Sequence, residues 1–296
     1  MEPTSQTVPA EAIEAYNQYI HGHIDRRAFM TRVNAIAATS VAAAAMVEAL
    51  TPNYAAAQQV SPSDPRIKTE RVTVPSPNGN GSIAGLLARP ASAGATKLPS
   101  ILVVHENRGL NPHIEDVARR LAVENFMAFA PDGLTSVGGY PGNDDDGRTL
   151  QANLDQAKLR TDMLNSAKYL KTHKLSTSKL GVTGFCWGGS TVNFLAVTLG
   201  PDLQAAVPFY GAAAETVSVP KIKAALLIHY AETDQRINEM WPAYEAALKA
   251  AGVPYQVHIY PGTQHGFHNN STPRYQEASA KLAWERTVGF FKTNLA

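Results

Sequence analysis

The chain has 296 residues, 44% of them hydrophobic and 17% charged, with 26 basic side chains against 25 acidic ones. A formal net charge of +1 provides no field that would gather nucleic acid or an anionic membrane, so no nucleic-acid partner is expected. One cysteine excludes an internal disulfide framework and a multi-thiolate zinc site, and leaves that thiol as either inert filler or chemistry.

Residues 1–57 differ in character from the rest of the chain. Asp25-Arg26-Arg27-Ala28-Phe29-Met30 precedes an alanine-rich apolar stretch from Ile36 to Leu50, and Tyr54-Ala55-Ala56-Ala57-Gln58 supplies the small residues of a signal-peptidase site after Ala57. Paired arginines, a weakly apolar segment and an A-x-A site predict a twin-arginine export leader over 1–57, with the export machinery as partner and the periplasm as destination. The stretch is interrupted by Glu48 and is too short to span a bilayer. The competing reading takes the helical periodicity of residues 11–30 as an amphipathic helix packed on the body of a cytoplasmic protein.

Residues 58–296 read as one catalytic domain. Ile101–Val104 is a continuous apolar run, as expected of a strand covered on both faces. Apolar residues at Ile114, Val117, Ala118, Leu121 and Ala122 mark a helix to Glu124, and Phe126–Ala130 reads as the next strand. Residues 132–149 are expected to form a long Gly- and Asp-rich connection, with Asp144-Asp145-Asp146 in a solvated turn. A helix over Leu154–Lys174 comes next, then a strand at Leu180–Phe185, a helix at Ser190–Leu199 and strands at Ala205–Tyr210 and Ala224–His229. A helix at Glu239–Ala251, a strand at Tyr255–Tyr260 and a helix from Arg274 to Leu295 complete the pattern. Strands alternating with helices predict an α/β fold with a mostly parallel central sheet and helices on both faces.

Gly184-Phe185-Cys186-Trp187-Gly188-Gly189 lies where a strand gives way to a helix, the place at which the α/β-hydrolase elbow G-x-S-x-G carries its nucleophile. A helix N-terminus beneath the sulfur favours a thiolate and an oxyanion. In that fold the acid and then the histidine follow the nucleophile along the chain. Asp234 stands a few residues past the strand at 224–229, and His265 stands past the strand ending at Tyr260, so each sits where open α/β sheets collect their active sites. Glu232 and His268 compete for these roles. The glycine beside His265 favours His265, and Glu232 reads as an exposed loop carboxylate. No third ligand accompanies His265 and His268 at a metal-binding spacing, so neither a metal nor a cofactor is expected. The oxyanion hole is assigned to the backbone N–H groups of Trp187 and Asn107, the latter in the loop His105-Glu106-Asn107-Arg108-Gly109 that follows the first apolar strand. Glu106 is an awkward neighbour for a thiolate unless it is hydrogen-bonded, protonated, paired with Arg108 or capping a helix.

These segments, together with Pro208-Phe209-Tyr210-Gly211 and His265-Gly266-Phe267, resemble the dienelactone hydrolase family, the carboxymethylenebutenolidase-like branch of the α/β-hydrolases. The resemblance covers residues 65–296. It implies a Cys-His-Asp triad of Cys186, His265 and Asp234, and an additional glutamate, Glu106, that bonds the resting thiol and takes its proton when substrate binds. The family's two substrate-binding arginines have no counterpart here: Asn269 stands four residues after His265, and the early lid position reads Leu134-Thr135-Ser136. This argues against dienelactone itself. Arg108, Arg148, Tyr140 and Tyr210 are taken as substrate-binding residues, and Arg274, Trp187 and Phe267 as further candidates around the pocket. The expected reaction is hydrolysis of a small-molecule ester or lactone through a thioester. A dehalogenase or peptidase-like hydrolase of the same fold, and a non-catalytic thiol protein sensing redox state, are the alternatives.

Overall fold

The computed structural model describes residues 8–296. Four helices open the chain: α1 (Ala10–Ile20), α2 (Arg26–Ile36), α3 (Ser40–Leu50) and the short α4 (Tyr54–Ala57). The periodicity seen over 11–30 therefore belongs to two helices, broken at a turn where Gly22 takes φ 75°. The side chain of Asp25 accepts from Ala28 N–H and caps α2, which places Arg26 and Arg27 in its exposed first turn. Thr39 and Asn53 cap α3 and α4 in the same way. Residues 1–7 of the expected leader lie outside the described part. Among the described residues, no helix is long and apolar enough to cross a membrane.

The remainder builds one eight-stranded sheet. Its strands are β1 (Ile67–Ser76), β2 (Gly81–Pro90), β3 (Leu98–Val104), β4 (Met127–Pro131), β5 (Ser176–Phe185), β6 (Ala205–Phe209), β7 (Ala225–Ala231) and β8 (Tyr255–Tyr260), in the spatial order β1-β2-β4-β3-β5-β6-β7-β8. Pairings β1–β2 and β2–β4 are antiparallel and all others are parallel. The crossover helices are α5 (Pro112–Val123), α6 (Asp144–Ala152), α7 (Gln156–Thr172), α8 (Trp187–Leu199), α9 (Gln235–Asn238) and α10 (Trp241–Ala251), and α11 (Glu277–Asn294) follows the last strand. Alternate residues of β3 feed opposite faces: Leu102 and Val104 join one buried cluster, Ile101 and Val103 the other. That is why this strand reads as an unbroken apolar run.

One expectation fails in the connection at 132–149. Asn143 accepts from Asp146 N–H and starts α6, so Asp144, Asp145 and Asp146 occupy a helical first turn, where the helix dipole favours carboxylates. Asp144 is buried rather than solvated.

Candidate active site

Chain direction across the sheet reverses at β3, which has β4 on one side and β5 on the other. In open α/β sheets the crevice beyond the strand ends at such a point is the ligand site. The loop after β3 carries Glu106 and Asn107, and the turn after β5 carries Cys186. The packing there is tight. A side chain at Gly184 would meet the Gly188 carbonyl at 2.6 Å, and one at Gly188 would meet the carbonyls of Val104 and His105 at 2.4 and 2.5 Å. Cys186 itself sits at φ 58°, a strained conformation for a residue with a side chain, and α8 begins directly after it.

His265 and Asp234 come to this point from the loops after β8 and β7. His265 Nδ1 lies 2.5 Å from Asp234 Oδ2, so Nδ1 keeps a proton and Nε2 is the nitrogen left to exchange one with the sulfur; Nε2 is buried with no hydrogen-bond partner of its own. Burial pushes the Cys186 thiol up, but the imidazole of His265 more than offsets this and holds it below the ordinary value. Burial likewise works against the His265 imidazolium, yet the Cys186 sulfur and the Asp234 carboxylate raise it to about 9. The two directions favour one state, a thiolate beside an imidazolium. His268 is the rejected rival. It is buried between Phe185 and Phe209, and burial pushes its pKa well down. Glu232 instead accepts from Gly262 N–H in an exposed loop.

Glu106 is buried, with Oε2 accepting from Asn269 at 3.2 Å and pairing with Arg108 Nη2 at 3.4 Å. Asn269 thus supports the carboxylate. Arg108 cannot serve the substrate: it is 1% exposed and also bonded to Asp144 at 2.8 Å, a partner supplied by the first turn of α6. Tyr210 is fully buried, with its ring centroid 4.8 Å from that of His265, so it backs the imidazole and lines no opening. Tyr140 donates to Asp144 and borders a separate 240 Å³ cavity. Arg148 does border a cleft of about 720 Å³ shared with Asn107 and Trp187, although its Nη2 is engaged by Asp145 at 2.7 Å. Arg274 donates to the His265 carbonyl and to Asn17.

The residue that sequence reasoning missed is His21. Its Nε2 lies 3.9 Å from Cys186 Sγ, across 165 positions of sequence, and no motif around it announces the contact. Ligand atoms of His21, Cys186 and His265 all lie within 4.8 Å of one another, and no fourth His, Cys, Asp or Glu among the described residues joins them. A cation held there would take up the sulfur that the elbow presents.

Comparison with known proteins identifies the family and the fold. The model of the dienelactone hydrolase family matches residues 83–295. A provisionally named carboxymethylenebutenolidase of Salmonella typhimurium is 33% identical over 231 residues, 73% of this chain and 84% of that protein. A provisionally named hydrolase fragment of Escherichia coli is 58% identical over 113 residues, 38% of this chain and 96% of the fragment. Among solved structures, a provisionally named dienelactone hydrolase of Klebsiella pneumoniae has a TM-score of 0.67 at 28% identity, covering 76% of this chain and 98% of that one.

Proposed function

The chain belongs to the dienelactone hydrolase family, and from that premise we propose that it hydrolyses small carboxylic esters or lactones with Cys186 as nucleophile. The observation that carries this is the line of groups Cys186, His265 and Asp234: a sulfur on a strained backbone turn, an imidazole nitrogen beside it and a carboxylate fixing the ring's orientation. The thiolate attacks the carbonyl carbon, and negative charge passes to the carbonyl oxygen. The N–H groups of Trp187 and Asn107 are assigned to receive it, each worth about a hundred- to a thousandfold in rate. The His265 imidazolium gives its proton to the departing alkoxide. The same nitrogen then takes a proton from water, which cleaves the thioester and restores the thiol. Glu106 lies close enough to raise the Cys186 pKa. Its carboxylate is engaged by Arg108 and Asn269 and makes no hydrogen bond to the sulfur, so the role of base that family resemblance implies would require it to turn when substrate binds. Residues 1–57 remain a proposed export leader, supported by the exposed Arg26 and Arg27; N-terminal sequencing of exported protein reads whether a cut follows Ala57.

The test is Cys186→Ala against a panel of aryl esters and lactones, with mass spectrometry of the wild type to capture the acyl-enzyme. Activity should fall by about a thousandfold or more. Turnover that survives the substitution ends the proposal, and an alkyl adduct formed from a haloalkane in place of an acyl adduct redirects it to dehalogenation.

A further inference from the structure

The N-terminal helices carry something that ester hydrolysis does not require. They lie outside the segment matched by the family. Their apolar side chains, among them Tyr16, Ile20, Phe29, Val33 and Leu50, close on one another in a cluster separate from both clusters of the sheet. Polar contacts tie them to the body: Asn17 Nδ2 to Gln264 Oε1 at 3.2 Å, Asn107 Nδ2 to the Ile20 carbonyl at 2.9 Å, and the hydroxyls of Tyr19 and Tyr54 to Asp145 and Asp144, each at 2.8 Å. The 720 Å³ cleft runs along this seam, with His21 and Ile24 on one side and Asn107 and Trp187 on the other.

The seam delivers His21 to the sulfur. His21 Nδ1 lies 2.7 Å from the Asn17 carbonyl, which can only accept, so Nδ1 holds the proton and Nε2 presents a lone pair. That lone pair faces Sγ at 3.9 Å, and the ring stands edge-on to His265 with centroids 4.6 Å apart. The seated ring therefore stands directly against the sulfur. It also takes space, because a reacting acyl carbon must approach to roughly 3–3.5 Å, and with the ring in place Cys186 is 9% exposed and His265 6%.

From this geometry we infer that residues 8–57 form an inhibitory cap, which seats His21 on Cys186 and must swing or be cut away before the sulfur accepts an acyl group. The inference rests on Cys186 being the nucleophile. When the cap leaves, the thiolate beside the His265 imidazolium is open to an acyl carbon, and no covalent bond in the site has to change. The proposed cut after Ala57 on export would itself release the cap, and the connection beyond it is also open to a protease, since Ser61, Pro62 and Ser63 are exposed.

Because Cys186 is the sole thiol, iodoacetamide labels one site. A protease recognition sequence is placed between Pro62 and Ser63 of the full-length protein, the folded chain is cut, and cap and body are separated by size exclusion. A cap seated more than about nine-tenths of the time holds both rates down tenfold, so alkylation and kcat/KM for a small aryl ester should each rise at least about tenfold on separation. His21→Ala in the uncut chain should raise alkylation several-fold with no cut at all. Alkylation unchanged in both the separated body and the His21→Ala chain overturns the inference. A folded body that alkylates faster yet loses kcat/KM also overturns it, because the cap would then be a wall of the substrate pocket. Alkylation reads access to the sulfur whatever the nucleophile is, so gated labelling beside activity independent of Cys186 would spare the cap and sink the nucleophile.

Discussion

The sheet domain and the N-terminal cap are held together by different means. In the sheet domain both faces of the central strands are covered, and backbone segments around the elbow touch so closely that a methyl group would not fit between them. The cap has one small cluster with several alanines in it, and it meets the sheet domain through polar contacts: hydroxyls, amides, backbone groups, one imidazole, and Arg148 and Arg274 set over Tyr19 and Tyr16. A net hydrogen bond contributes about 1 kcal/mol, more when one partner is charged. Separate bonds of this kind dock a small unit without merging its core with that of its host. Cohesion within each region and weak adhesion between them are what a removable cap requires.

The largest expected effect lies wholly in the sheet domain. Asp234→Asn should lower kcat by about a hundred- to ten-thousandfold, by analogy with other triads whose carboxylate is lost, while the cap stays seated and the full-length chain alkylates no faster. In the wild type, kcat/KM should fall on the alkaline side near pH 9, where the His265 imidazolium loses its proton. The same sign governs stability. The pKa of His265 is raised on folding, so its contribution is complete below about pH 6.5 and is lost as pH climbs through about 9. Asp234→Asn should move the alkaline limb to lower pH; a limb that does not move would separate His265 from the rate.

Asp144→Asn comes next, and it strikes where the two regions share a residue. Arg108 would keep its burial and lose its shorter carboxylate contact, leaving Glu106 at 3.4 Å. Removing one partner from a buried ion pair costs about 3–5 kcal/mol, readable as a lower urea midpoint of the sheet domain. Phe29→Ala should cost the cap about 3 kcal/mol and should split a low-temperature transition from the main one, whose midpoint stays put. A single cooperative transition lowered as a whole would erase the contrast between the regions.

The parts legible in the sequence are those fixed by local pattern. β3 and β5 to β7 are apolar runs because parallel strands inside the sheet are buried on both faces, and Cys186, Asp234 and His265 each stand just past a strand end. β1 shows no such run, since as an edge strand it exposes Lys68, Thr69, Glu70 and Arg71. Helix α6 hides behind Gly147, which reads as a loop residue but is there because a Cβ would strike the Arg108 carbonyl at 2.4 Å. Arg108 reads as a free cation until Asp144 arrives from 36 residues further on, and His21 acquires meaning only when a distant segment folds over the sulfur. Contacts between regions leave no periodic trace.

Tyr54→Phe gives the smallest effect and the finest cut between the regions. The Tyr54 hydroxyl lies 2.8 Å from Asp144 and accepts from Asn111 Nδ2, so its loss takes one charged and one neutral hydrogen bond from the docking surface. Asp144 retains Arg108 and Tyr140, and Asn111 still caps α5 through its oxygen, so the sheet domain should melt within about a degree of the wild type. The charged bond alone contributes about 1.5 kcal/mol, equivalent to a tenfold shift in the seated population. The full-length chain should therefore alkylate at Cys186 several-fold to tenfold faster, with kcat/KM rising in parallel. An alkylation rate equal to wild type would mean that the seam is held by something other than its hydrogen bonds. A lowered melting point with unchanged alkylation would mean that Tyr54 belongs to the sheet domain and not to the cap.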